Sequence, residues 1–188
     1  MTSPVPPRRL LAAIVATPLA MIAALLFAPP THAASPPCAA TTVAAGQAPA
    51  ATVGRAVRCL VNAQRAAHGL KPLRASRELR VAAERHGTDM VTNAFFAHVS
   101  PSAGAITDRA RRAGYVRNDD YALGEDIAWG EGELATPAAI VTAWMNSPGH
   151  RAVILDRDFR DVGVGIVAGL PVASELPGAT FVLDVGSR

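Results

Sequence analysis

After residue 52, apolar residues recur at helical spacing over about the first two thirds of the remaining chain. The spacing of three and four residues is typical of helices that bury one face. Polar or small residues at the ends of these segments fit N-caps, and glycine or proline closes them. The pattern predicts four helices, over residues 53–69, 76–92, 107–114 and 136–144, the last of them ended by Pro148 and Gly149.

The period changes to two near the C-terminus. Apolar residues alternate with glycine in residues 162–167 and alternate again in residues 181–185, which is typical of strands. The connection between them, residues 168–178, is rich in glycine and proline. Helices that come first and strands joined by a hairpin-type connection favour an α+β fold over a parallel doubly wound sheet.

The N-terminus is typical of a secretory signal peptide. Arg8 and Arg9 precede the uncharged segment 10–28, and small residues at Thr31 and Ala33 fit a cleavage site. We therefore expect a signal peptide over residues 1–33, an Ala/Pro-rich linker over 34–52 and one domain over 53–188. An uncleaved membrane anchor is the alternative, because the apolar segment is about long enough to span. With cleavage, the protein is secreted and has no stable membrane span.

Charge and cysteine content narrow the function further. The chain has 18 basic and 15 acidic side chains, and removal of Arg8 and Arg9 leaves 16 against 15. No basic block remains, so nucleic-acid binding is not expected. Cys38 and Cys59 are the only cysteines and can form one disulfide in an oxidising compartment. Two free thiols, or lipidation of Cys38, are the alternatives.

Three polar residues at the ends of predicted elements are candidates for chemistry. His98, Glu125 and His150 each lie among aromatic residues, glycine or proline, a setting typical of a rigid loop against a core. Two imidazoles and a carboxylate can bind a divalent metal, or can act as a base with its orienting partner. A hydrogen-bonded structural cluster is the alternative. His86 lies on the apolar stripe of the second helix, where we expect a packed structural histidine.

Five short blocks occur together in an order that resembles a known family. They resemble the bacterial branch of the CAP superfamily, the cysteine-rich secretory, antigen 5 and pathogenesis-related proteins, also called SCP-like. The resemblance extends over about residues 53–186. The blocks are residues 59–65, 95–101, 124–128, 143–151 and 162–165.

The resemblance implies an α–β–α sandwich, with a central antiparallel sheet flanked by helices, and a cleft that holds two histidines and two acids. His98, Glu125 and His150 match three of these four residues. The second acid has no match, since Asn146 and its neighbours occupy that stretch after the family's tryptophan. Asp126 stands where the family usually has asparagine and could restore a negative charge near the site, although in an extended backbone it points away from Glu125. Asn146 and Asp126 are therefore further candidates for cleft residues.

Three functions remain open at this point. The first is a non-enzymatic extracellular module that binds a lipid, a sterol or a cell-envelope component. The second is a metal-dependent hydrolase, in which His98, His150 and Glu125 bind Zn²⁺ or another divalent ion, or Glu125 acts as the base. The third is a structural envelope or interaction protein with a vestigial cleft. Zn²⁺ or another divalent metal is the one candidate cofactor and is not established by the sequence, and the extracellular ligand is unknown.

Overall fold

The computed structural model of the protein describes residues 38–188, which form five α-helices and four strands. The predicted signal peptide, and residues 34–37 of the predicted linker, lie outside the described residues. The helices are α1 (Ala50–Ala67), α2 (Arg77–Thr92), α3 (Ile106–Arg112), α4 (Pro137–Asn146) and α5 (Pro148–Ile154). The strands are β1 (Arg74–Ala75), β2 (Ala122–Glu131), β3 (Asp161–Ala168) and β4 (Gly178–Ser187).

The strands form one sheet in the order β1-β3-β4-β2. The three long strands are antiparallel, as the resemblance implies. The two-residue β1 runs parallel to β3, so the sheet is mixed. The α+β prediction is confirmed. Strand β2 forms one edge of the sheet. The other edge is formed by the short β1 and, where β1 has ended, by β3.

Helices cover both faces of the sheet. The larger core packs α1, α4 and α5 on one face, with Val57, Trp144 and Phe181 almost fully buried. On the other face α2 and α3 bury a smaller set that includes Leu79. The close approach of α2 depends on Gly163 in β3, because a Cβ there would overlap the α2 backbone. The three layers confirm the predicted sandwich.

Residues 38–49 lie against the domain. The amide of Ala45 donates to the carbonyl of Ala135 (2.9 Å), and the amide of Ala138 donates to the carbonyl of Thr41 (2.9 Å). Cys38 and Cys59 form the expected disulfide, with their Cα atoms 5.7 Å apart. This bridge joins the segment to the middle of α1.

Several elements differ from the sequence prediction. Pro148 was expected to end a helix, but it begins α5, because proline is well suited to the first turn of a helix. Strand β2 was not predicted, since glycine and acidic residues interrupt its apolar alternation. Helix α1 also begins at Ala50, three residues before the expected start. Within residues 38–188, no helix is long and apolar enough to cross a membrane.

Candidate functional site

Strand β2 places the carboxylate of Glu125 against the loop that follows α2. The ring nitrogen Nδ1 of His98 donates to Oε1 of Glu125 at 2.9 Å. Glu125 is 9% exposed as a residue, whereas the His98 side chain is 56% exposed. The carboxylate therefore lies below the surface and the imidazole lies above it. We call this group of side chains, together with Arg109 and His86, the His98 site.

Arg109 on α3 holds the second oxygen of Glu125. Its Nη2 donates to Oε2, and its Nη1 donates to the carbonyls of His98 (2.9 Å) and Gly104 (2.8 Å). Arg109 is 4% exposed and the Glu125 side chain is 3% exposed, so the two form a buried, hydrogen-bonded ion pair. The same guanidinium thus fixes both the carboxylate and the backbone of the loop that carries His98.

His86 supports the site from α2. It is fully buried, as predicted, and its Nε2 donates to the carbonyl of Ala97 at 3.0 Å. The same nitrogen lies 3.8 Å from Oε2 of Glu125. Burial lowers the pKa of His86, although Glu125 acts in the opposite direction. A neutral His86 with Nε2 protonated positions the residue next to His98.

The contact between His98 and Glu125 shifts their pKa values in opposite directions. Burial by itself would raise the pKa of Glu125, but the hydrogen bond from His98 and the charge of Arg109 outweigh burial and lower it. The hydrogen bond to Glu125 raises the pKa of His98, against the effect of burial. Glu125 is therefore ionised, and His98 is protonated over a wider pH range than a free histidine.

Two further carboxyl groups lie beneath the site. Asp184 on β4 is directly opposite Glu125, so both side chains are on the α2 face, while Asp126 is opposite Leu183 on the other face. Asp126 and Asp184 are almost completely buried, and their oxygens have no hydrogen-bond partner within residues 38–188. Burial raises the pKa of Asp126 to about 8 and that of Asp184 well above its usual value.

His150 and Asn146 come from the opposite helical layer. His150 lies on α5 and Asn146 at the end of α4. Burial lowers the pKa of His150, and the charge of His98 lowers it further. Asn146 borders a groove of about 380 Å³ that Met145 and Leu155 also line. No hydrogen bond joins His150 to Glu125 in the part of the chain that the structure describes.

This arrangement does not present three metal ligands. Both oxygens of Glu125 are bonded, one to His98 and the other to the Arg109 cation. Among residues 38–188, no group of three His, Cys, Asp or Glu side chains is placed to hold a metal ion. Metal binding by His98, His150 and Glu125 stays a prediction, and it requires Glu125 to exchange a partner for the ion.

Arg109 and Asp184 were not predicted from the sequence as parts of the site. Arg109 is one of three arginines on a short helix, and nothing in its spacing separates it from the exposed ones. Asp184 did carry a signal, because it is an acid within a run of apolar residues on a strand buried on both faces.

Comparison with known proteins identifies the family. The model of the cysteine-rich secretory protein family, CAP, matches residues 59–169. The chain belongs to this family. The match contains His98, Glu125 and His150, so all three lie in the region that defines the CAP domain.

The relatives include bacterial proteins of greater length. The chain is 40% identical over 108 residues to an uncharacterized protein, YkwD, of Bacillus subtilis, and the match spans 57% of this chain and 40% of YkwD. It is 38% identical over 107 residues to an uncharacterized membrane protein, YlbC, of the same organism, over 57% of this chain and 29% of YlbC. The chain thus spans less than half the length of these relatives.

Two solved structures resemble the fold. One is an extracellular protein with an SCP domain from Bacillus anthracis, at 29% identity and a TM-score of 0.54 over 69% of this chain and 39% of that one. The other is an outer surface protein from Borrelia burgdorferi, at 19% identity and a TM-score of 0.56 over 70% of this chain and 90% of that one. The second likeness concerns the fold alone.

Proposed function

We propose that this CAP-domain protein is a secreted, non-enzymatic module that binds an amphipathic component of the cell envelope through the His98 site. The predicted signal peptide, the disulfide and the likeness to an extracellular SCP-domain protein support the location. The chemistry of the exposed groups supports binding rather than catalysis.

The contact between His98 and Glu125 carries this proposal. Glu125 has both oxygens bonded below the surface, so it is a poor general base and orients the imidazole instead. The exposed side of the His98 ring carries Nε2, which becomes a hydrogen-bond donor, on a positively charged ring, when His98 is protonated. Such a group suits an anionic headgroup, for example a phosphate.

Apolar side chains flank this cation. Phe96 is 42% exposed and Val99 is 59% exposed, although both are large hydrophobic residues. A cation between exposed apolar side chains matches a ligand with an anionic head and an apolar tail. We therefore favour an anionic lipid over a neutral sterol.

Co-sedimentation with vesicles tests the proposal. The purified protein is mixed with vesicles of phosphatidylglycerol or of phosphatidylcholine at pH 6.0 and at pH 8.0. We expect binding to phosphatidylglycerol, stronger at pH 6.0, because His98 is then more fully protonated. The variant His98→Gln keeps a hydrogen-bonding side chain without the charge and should bind more weakly.

His68→Gln is the matched control, since His68 is an exposed histidine at the end of α1, outside the His98 site. It should bind as the unchanged protein does. Equal binding by His98→Gln and the unchanged protein would refute a role for the site in lipid capture. No binding to either vesicle would favour the structural envelope role.

A further inference from the structure

Beyond the end of β1, the edge of β3 has no neighbouring strand among residues 38–188, and the flanking helices leave Val164 and Ile166 7% and 9% exposed. The two strands pair only at Asp161 and Val162, and the amide of Ser76 donates to the carbonyl of Val162 at 2.8 Å. Within residues 38–188, no strand pairs with residues 163–168 on that side. At about 3.3 Å per residue, this leaves about 20 Å of strand edge without a neighbour.

Peptide groups on this edge point outward at alternate residues. The carbonyl of Val162 points toward β1, and in an antiparallel pair every second residue points the same way. The N–H and C=O groups of Val164 and Ile166 are therefore directed away from β4, on the side where β1 has ended. They offer two donors and two acceptors at strand spacing.

A groove of about 470 Å³ runs along this edge between α1 and α2. Its floor is the apolar surface of β3, including Val164 and Ile166. Gly54 lines the α1 side of the groove, where a Cβ would already be in van der Waals contact with β3, 3.7 Å from the carbonyl oxygen of Val164, so a larger side chain there would extend into the groove. The groove thus combines an unpaired strand edge with a floor that suits apolar side chains.

The rim of the groove is strongly basic. Four arginines line it, two from α1 and two from α2, against the single acid Glu84. Glu84 already forms an ion pair with one of them, Arg80. Residues 1–77 contain no Asp or Glu, so the N-terminal segment supplies no carboxylate here. The four arginines of the rim are Arg55, Arg58, Arg77 and Arg80.

The charge and the hydrogen-bonding groups of the groove indicate which kind of ligand it fits. A second copy of the chain would place its own arginines against these, so the like charges disfavour edge-to-edge pairing. An acyl chain has no donors or acceptors for Val164 and Ile166. We propose that this groove binds an extended segment of a partner polypeptide with acidic side chains, which adds to β3 as a further strand. The proposal is independent of the His98 site.

Fluorescence polarisation with a defined peptide tests the proposal. The probe is a fluorescein-labelled peptide Glu-Val-Glu-Val-Glu-Val. One comparison peptide is the same sequence N-methylated at its first and second valines, and the other is Lys-Val-Lys-Val-Lys-Val. We expect saturable binding of the acidic probe alone, at least tenfold tighter than either comparison peptide. N-methylation removes backbone donors and leaves the charge unchanged, so it separates strand addition from electrostatic attraction.

Two variants locate the binding on the protein. Gly54→Leu fills the groove and should weaken binding at least tenfold, whereas Ala63→Leu adds the same side chain to an exposed position of α1 outside the groove and should have no effect. The double variant Arg55→Gln/Arg77→Gln should weaken binding about three- to tenfold, as expected for two exposed ion pairs. Thermal unfolding checks that each variant is folded.

Amide exchange gives a readout that needs no variant. With the acidic peptide bound, the amides of Val164 and Ile166 should exchange more slowly with solvent, because they then donate to the peptide. No binding of the acidic peptide, or equal binding of its N-methylated form, would overturn the proposal. A third result would also overturn the proposal: oleate displaces the peptide, and the exchange rates of the Val164 and Ile166 amides do not change when the peptide binds. That result would assign the groove to an anionic amphiphile.

Discussion

The burial of Asp126 lowers the free energy of unfolding by an amount that depends on pH. The residue is 1% exposed, and burial raises the pKa of its carboxyl to about 8, against about 3.9 in an unfolded chain. Above pH 4 the unfolded chain releases this proton while the folded protein keeps it. The unfolded state then binds fewer protons, so stability falls as pH rises, by about 1.4 kcal/mol per pH unit until pH 8.

The variant Asp126→Asn removes this cost, since the amide has nearly the same shape and does not titrate. The free energy of unfolding of the variant should exceed that of the unchanged protein by a margin that grows with pH. Between pH 5.0 and pH 7.5 the margin should grow by about 3 kcal/mol. Any cost of burying the new amide is the same at both pH values and cancels.

Urea unfolding at the two pH values measures the margin. Fluorescence of Trp144 reports the transition, because the residue is 1% exposed and its Nε1 donates to the carbonyl of Ile127 at 3.3 Å. Glu125 and Asp184 titrate in both proteins and drop out of the difference. A margin that stays constant within about 0.5 kcal/mol would show that Asp126 is ionised in the folded protein, and would refute the argument from burial.

Three other expectations are open to direct measurement. Reduction of the Cys38–Cys59 bridge should lower the free energy of unfolding by about 3 kcal/mol, measured by urea unfolding with and without a reductant. Gly163→Ala should lower it by at least about 2 kcal/mol, because the new methyl group overlaps the backbone of α2; an unchanged unfolding midpoint would contradict the packing argument. Calorimetric titration with Zn²⁺ should show no tighter binding to the protein than to the variant His98→Ala/His150→Ala, because both oxygens of Glu125 are bonded. One-to-one micromolar binding that the variant loses would instead make these residues a metal site.

The regular elements were predictable where one physical pattern dominates. Helices α1, α2 and α4 and strands β3 and β4 bury apolar residues at a constant period, which the sequence displays directly. Strand β2 lies at a sheet edge and carries Gly124, Glu125 and Asp126 in succession, so its pairing with β4 is set by tertiary contacts. Helix α5 was missed because proline both ends one helix and begins the next.

The candidate site was predictable in part, for a similar reason. The setting of His98, Glu125 and His150 at the ends of predicted elements, together with the resemblance to the CAP family, selected these residues, and the structure brings the first two into contact. Arg109 was not predictable, since its burial depends on where α3 packs, and an arginine on a short helix is usually solvated. The role of Glu125 depends on that arginine, so the sequence left the carboxylate open as base or ligand.

The buried charges together determine what the His98 site can attract. Three carboxyl groups lie close together on β2 and β4, but only Glu125 has a cationic partner, Arg109, among the residues that the structure describes. Burial raises the pKa of Asp126 to about 8 and that of Asp184 well above its usual value, which favours their neutral forms, while Glu125 and Arg109 compensate each other and leave His98 as the exposed charge. The site is then neutral or positive rather than negative. An anionic ligand is favoured at such a surface, and a divalent cation is disfavoured unless Asp126 or Asp184 ionises.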